Sequence, residues 1–354
     1  MPFYGGAYVL CGLCVPPVLC HLLCGGGILA LKKRLILTGV LLFFVAVNLF
    51  LWFTVTRRCA NNFSGATQLK MIDVGSYLPF EPDAKLARTG ASLKLTQDLP
   101  KLDGAAALVP VYASVIENVY PQGCVTFQGG VFDDNNYYGE NFAEDSAMQY
   151  QNTVRGFNAV VDGKTDLFFT AYPSPDQLKS AEEKNVELEI VPIGREGFVF
   201  FVNTKNPVNN LTLEEIRKIY GGEITNWKEV DGKDLPIDPL LRVAGSGSQT
   251  TMDRVMGEQA YGAKSPYALL GGSIAYSFRI YLTNIVANDK VKMLSVNGIY
   301  PDNDSIKDGT YPLATQFYVV YRKDNANENV RSLVDWLCSE EGQKMIEATG
   351  YAGL

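Results

Sequence analysis

Beyond residue 103 two rhythms alternate along the chain. Apolar runs of strand length occur at 166–171, 186–193, 197–202, 240–244, 291–296 and 316–321, and stretches with helical spacing lie between them. Thr212 and Glu215 form a capping-box pair ahead of an apolar face made by Leu213, Ile216, Ile219 and Tyr220, and Gly221 is expected to stop that helix. Val330, Leu333, Val334 and Leu337 repeat at i, i+3, i+4 and i+7, which predicts another helix. A last helix is expected to start at Ser339 and stop at Gly350. Strand and helix patterns in alternation predict an α/β body.

The N-terminal part has a different pattern. Residues 35–55, LILTGVLLFFVAVNLFLWFTV, carry no charge. At ~1.5 Å per residue they span about 31 Å, the thickness of a hydrocarbon core. Lys32, Lys33 and Arg34 precede the run and Arg57 and Arg58 follow it, so charge favours a cytoplasmic N-terminal flank and an extracytoplasmic body. No small-residue cleavage site follows, which predicts an uncleaved single-pass anchor in the plasma membrane. Residues 1–34, rich in Gly, Pro and Cys up to residue 30, allow two readings. They form a first membrane segment, making a hairpin, or they reflect a start placed too early. Both leave the body outside. Residues 56–101 read as a linker.

Charge and cysteine content sharpen this division. The 354 residues hold 31 Lys and Arg against 38 Asp and Glu, for a net charge of −7. All the carboxylates lie at or beyond Asp73, and removing the three cations before residue 56 leaves the body near −10. That excludes a basic nucleic-acid surface, but a local anion site can still oppose the global field. Cys11, Cys14, Cys20, His21 and Cys24 fit no zinc spacing, and their apolar neighbours favour membrane cysteines. Cys124 and Cys338 could pair in an oxidising compartment. Asp302 and Asp304, and residues 133–136, lack calcium-loop spacing and read as solvated turns. No metal and no cofactor is expected.

Residues 242–251, RVAGSGSQTT, carry the most chemistry. A strand ending near Ala244, a Gly-Ser turn and a helix start would gather free N–H groups, hydroxyls and a helix-dipole end at one point. Arg242 would add a permanently charged fork. The bland alternative is an ordinary turn with a solvated arginine. Thr153, as an N-cap before Val154, Phe157 and Val160, and the small residues 105–107 ahead of a helix near Pro110 repeat the design. Taken alone, these could be a simple cap and simple packing.

Those segments carry a resemblance. The blocks DGAAALVPVYASVIENVYP, GKTDLFFTAYPSPDQL, PIGREGFVFFVNTKNPVNNLTLEEIRKIYGGEITNWKEV, RVAGSGSQTT, GGSIAYSFRIYLTN and SLVDWLCSEEGQKMIEATGYAGL resemble, in order and spacing, the phosphate-binding protein family of bacterial phosphate ABC transporters. The resemblance implies a two-lobed, periplasmic-binding-protein-like (type II) α/β fold behind an N-terminal transmembrane helix. Lobe I would run over 102–198 and return over 319–354, lobe II would occupy 199–318, and 197–202 and 316–321 would be hinge strands. It implies a ligand site made by Ala106, Ala107, Thr153, Arg242, Ser246, Gly247 and Ser248. Ala106 stands where better-known members have threonine, so only its N–H could contribute. Ala171 stands where the best-known members have an aspartate that accepts the proton of hydrogen phosphate. Asp103 and Glu196 are the nearby carboxylates that could replace it.

The implied function is capture of a small oxyanion, inorganic phosphate, for an ABC permease in the membrane, by a monomeric body. The alternative is a ligand-sensing or adhesive ectodomain on the same fold. Catalysis is not expected. The only histidine is His21, Ala244 and Ser248 break the nucleophile-elbow pattern, and Gly163-Lys164-Thr165 follows a helix where a phosphate-binding loop must follow a strand. Arg155 and Arg195 read as solvated surface.

Overall fold

The computed structural model describes residues 28–63, 72–129, 142–242, 244–263, 272–287 and 289–354. The cysteine-rich stretch before residue 28 and the acidic turn at 133–136 lie outside them.

Two compact units divide at Arg58 and Cys59. The first contains helix α1 (Ile28–Phe63), which runs on past the boundary into the second. Within it Arg34–Trp52 has a mean hydropathy of 2.5 and no buried residue, so by length and composition it can cross a membrane.

The second unit follows the order β1 (Leu102–Gly104), α2 (Val109–Val119), α3 (Asn152–Val161), β2 (Leu167–Ala171), α4 (Pro175–Glu183), β3 (Leu188–Asn203), β4 (Asn210–Leu211) and α5 (Leu213–Gly221). It continues with β5 (Ile237–Pro239), α6 (Gly247–Met256), β6 (Gly272–Phe278), β7 (Val291–Met293), β8 (Ser295–Val296), α7 (Asn303–Lys307), β9 (Ala314–Arg322), α8 (Glu328–Cys338) and α9 (Glu340–Ala348).

The main sheet runs β1-β2-β9-β3-β6-β5, with β7 also on β3. Strand β3 organises it. Its first part, Leu188 to Gly197, pairs antiparallel with β9, and its second part, Phe198 to Val202, pairs antiparallel with β6. A register shift between Pro192 and Gly194 bends the ladder just before the change of partner. Two apolar cores lie on either side of that change. Ile193 joins one, with Leu102, Val111, Phe169, Val319 and Leu337. Phe198, Phe200 and Val202 join the other, with Ile216, Trp227, Met252 and Tyr276. The runs at 186–193 and 197–202 are therefore one continuous strand, and the chain passes between the cores at residue 197.

The body does not begin at residue 102. Ile72, Val74, Tyr77, Ala87 and Leu95 are buried in the first core, so the expected linker over 56–101 is corrected from Ile72 onward. The segment is held by side chains of α2. Ser114 accepts the Ala87 N–H at 3.0 Å, and Asn118 accepts from Thr89 and Gly90 while donating to the Ala87 carbonyl. Within the run at 240–244, the described residues 240–242 and 244 are likewise not in a strand. β5 ends at Pro239, and the last ladder bond is the Leu240 N–H donating to the Ile274 carbonyl at 2.9 Å.

The capping box of α5 is present, with the Thr212 hydroxyl accepting from the Glu215 N–H, but Gly222 at φ 79° terminates the helix where Gly221 was expected to. Asp302 caps α7 by accepting the Ser305 N–H, and among the described residues no three metal-ligating side chains cluster. Cys124 and Cys338 are free thiols, one half-buried and one exposed, so the disulfide their presence would allow is not formed.

Candidate functional site

Two helix starts line a cleft where the two cores face each other, and the start of α3 adjoins one of them at Val154 and Gly245. A narrow cleft of about 20 Å³ is lined on one side by Ala105, Ala107 and Ala171 and on the other by Gly247 and Phe278, with Glu196, Gln316 and Tyr351 between them. A Cβ on Gly247 would lie 3.8 Å from the Ala171 Cβ and 3.7 Å from the Phe278 ring, so glycine keeps this wall open. Gly245, at φ 78°, turns the chain into α6 in a conformation that disfavours a side chain, and a Cβ there would stand 3.3 Å from Val154 of α3.

The start of α6 is built much as its sequence predicts. Ser246 is the N-cap and its hydroxyl oxygen accepts the Gln249 N–H at 3.2 Å. The Gly247 and Ser248 amides follow at the positive end of the helix dipole. Arg242 is partly buried, and desolvation lowers its pKa while the phenols of Tyr281 and Tyr276 act against the shift. Its backbone is fixed by α6 itself. The Gln249 side-chain oxygen accepts the Arg242 N–H at 2.9 Å and also accepts the Tyr276 hydroxyl. The Gln249 amide in turn donates to Asp253 at 2.8 Å and to Tyr261 at 3.0 Å. A satisfied network that ends on the Asp253 carboxylate thus ties the arginine backbone to the helix start.

The start of α3 differs from expectation. The N-cap position is Gln151, with no side-chain cap, and Thr153 lies inside the helix, buried. Asn152 adopts φ 60°, and its side-chain oxygen accepts both the Thr153 N–H at 2.8 Å and the Thr153 hydroxyl at 3.3 Å. Thr153 is therefore not the cap, because the preceding asparagine supplies the acceptor. Below this turn Asp103 is fully buried. Its Oδ1 accepts from Gly104 at 2.7 Å and Gln151 at 2.9 Å, while its Oδ2 has no hydrogen-bond partner. Burial raises its pKa to about 7, against those two N–H bonds.

The third start is a 3₁₀ turn over Ala106–Leu108 that leads into α2. The Tyr351 hydroxyl donates to the Ala107 carbonyl, and the Tyr351 ring packs on Phe317 at 5.0 Å. Glu196 stands at the back of the cleft. It is 3% exposed, accepts from the Gly197 and Ile280 N–H groups, and faces Arg279 at 3.6 Å. Burial raises its pKa to about 7 despite that arginine. Arg195 donates to the Lys307 carbonyl, away from the cleft lining.

Of the expected site residues, Ala107 and Gly247 line the cleft. Ala106, Ser246 and Ser248 adjoin those two in the chain. Thr153 and Arg242 lie on the segments that meet at Val154 and Gly245 and do not line the cleft. Gln316, Phe278 and Tyr351 complete the walls and had no signal in the sequence, since each comes from a strand or loop far from the glycine turn.

Residues 136–341 match the family described as PBP superfamily domain. The phosphate-binding protein PstS of Bacillus subtilis (strain 168) is 30% identical over 42% of this chain, which spans about half, 52%, of that protein's length. Protein SphX of Synechococcus elongatus is 25% identical over 72% of this chain and 86% of its own. In fold, the chain is similar to a protein from Clostridium perfringens described as a phosphate ABC transporter substrate-binding protein and solved with bound phosphate. Its TM-score is 0.52 at 22% identity, over 72% of this chain and 99% of that one. The two-lobed α/β fold and the family match agree: this chain belongs to the PBP superfamily.

Proposed function

We propose that this protein is an extracytoplasmic solute-binding protein that captures inorganic phosphate between its two lobes and delivers it to an ABC permease, held at the plasma membrane by α1. The observation that carries this reading is that Gly247, at the start of α6, and Ala107, at the start of the α2 segment, line one cleft from opposite lobes. Two helix starts that line one cleft can offer N–H groups to an anion, even in a body whose overall charge is negative. Arg242 supplies the fixed charge, Ser246, Gly247 and Ser248 the hydroxyls and amides, Ala106 and Ala107 backbone N–H groups, and Thr153 a further hydroxyl. The names of the relatives support phosphate as the anion.

The cleft has little more room than one water needs. A tetrahedral oxyanion enters when the lobes part, and closing them desolvates it. Calorimetry of the full chain in nanodiscs, with phosphate and sulfate as titrants, tests the reading. Saturable phosphate binding that is weakened by Arg242→Ala supports it; absence of phosphate binding by the unaltered chain overturns it.

A further inference from the structure

Arg254 lies about two turns along α6 from Gly247, on the exposed side of the helix. Its Nη2 donates to the carbonyls of Tyr172 at 3.2 Å and Pro173 at 2.9 Å. Its guanidinium carbon stands 5.0 Å from the centroid of the Tyr172 ring, which in turn packs edge-on against Tyr318 at 5.3 Å. Tyr172 and Pro173 directly follow Ala171, the last residue of β2. The two partners belong to different cores. α6 is rooted by Met252 and Met256 in the second, and β2 by Leu167 and Phe169 in the first. The same helix and the same strand end therefore meet twice. They meet in the cleft, where Gly247 opposes Ala171, and again outside it, where Arg254 grips Tyr172 and Pro173.

We propose that Arg254 is a positioning residue for anion binding: it clasps α6 to the end of β2, favours the closed arrangement of the lobes, and slows release of an anion it never touches. This rests on the cleft being the anion site. The physical basis is a population shift. A contact made only when the lobes approach adds its free energy to the closed state alone, and apparent affinity scales with the fraction of molecules that are closed. Arginine suits the task because its planar fork serves carbonyl oxygens and an aromatic face together. Both carbonyls are uncharged, so the clasp puts no anion beside the cleft to repel the ligand. Escape of the ligand requires the clasp to break, so its weight falls on the dissociation rate.

The test compares the full chain in nanodiscs with Arg254→Ala, Arg254→Lys and Tyr172→Ala. Phosphate release is followed by stopped flow, and amide hydrogen exchange at residues 105–108 and 246–248 is measured without ligand. Arg254→Ala is expected to speed phosphate release about tenfold, equivalent to ~1.4 kcal/mol, with the association rate and the preference for phosphate over sulfate unchanged. It should also speed ligand-free exchange at both cleft segments. Arg254→Lys, which keeps the charge over the ring, should restore part of both effects. The Arg254→Ala, Tyr172→Ala pair should release phosphate less rapidly than the two single effects multiplied. An unchanged release rate in Arg254→Ala, or an altered anion preference, overturns the proposal. Should the unaltered chain bind no phosphate, the proposed function fails; the exchange measurement then decides the clasp alone, with unchanged exchange in Arg254→Ala overturning it.

Discussion

The starts of α6 and α3 look alike in sequence and are built differently. At α6 the cap is a serine hydroxyl, and the arginine before it is fixed by a neutral amide, Gln249, whose oxygen and nitrogen are both satisfied. At α3 an asparagine in a left-handed conformation bonds the Thr153 amide and hydroxyl, and the turn rests on a fully buried carboxylate with one orphan oxygen. A helix start offers an anion only the donors that its own side chains leave free. On the proposed function, the α6 side would be a preformed half-site, whereas Thr153 of α3 would serve an anion only after leaving Asn152.

The largest expected effect concerns what the two turns rest on. Asp103 and Glu196 both have folded pKa values near 7, above their ordinary values of 3.8 and 4.5. The folded state therefore holds more protons than the unfolded chain between those limits. Stability is greatest below about pH 4 on this account and is lost as pH rises through about 7, by on the order of a few kcal/mol. Urea midpoints between pH 4 and 8 should fall as pH rises, and Asp103→Asn should remove about half of the slope. An unaltered slope would show that the carboxylate beneath α3 is ionised throughout. Next, Arg242→Ala removes a charge-assisted contact worth roughly 1.5–3 kcal/mol, so phosphate affinity should drop at least ~10-fold by calorimetry. A smaller loss would place the charge that matters elsewhere.

Thr153→Val deletes a single neutral hydroxyl and should cost about 1 kcal/mol, roughly fivefold in phosphate affinity. A loss as large as that of Arg242→Ala would erase the distinction between the two half-sites. Smallest of all, Asn152→Gly keeps the φ 60° backbone but frees the Thr153 donors. Phosphate affinity should rise about twofold in that variant, a gain of a few tenths of a kcal/mol. A fall would mean that the asparagine itself serves the ligand.

Chemistry that is local in the chain was legible in the sequence. The capping box at Thr212 and Glu215, the Ser246 turn, β2, β9 and the α8 face made by Val330, Leu333, Val334 and Leu337 all depend on residues within a few positions of one another. What escaped depends on distant partners. The segment after Ile72 has no period, because it is an irregular strap that buries single side chains and borrows Ser114 and Asn118 for its backbone bonds. β6, the partner of β3 at the crossing, alternates Ile274, Tyr276 and Phe278 with small residues, a strand pattern of period two that was passed over. The cap of α3 was misplaced by two residues because an asparagine at positive φ has no signature in apolar spacing. Glu196 was visible as a nearby carboxylate, but its place at the back of the cleft comes from Arg279 and the Ile280 N–H, more than eighty positions away.

The undivided β3 constrains how this body can move and fail. One ladder serves as the edge of both cores, so the lobes cannot slide or detach as separate beads. They flex instead about a shared spine where the strand passes from one core to the other at Gly197. Melting one lobe strips hydrogen bonds from the strand that props up the other. Heat should therefore dismantle the two lobes as one cooperative block, although their large apolar clusters are separate.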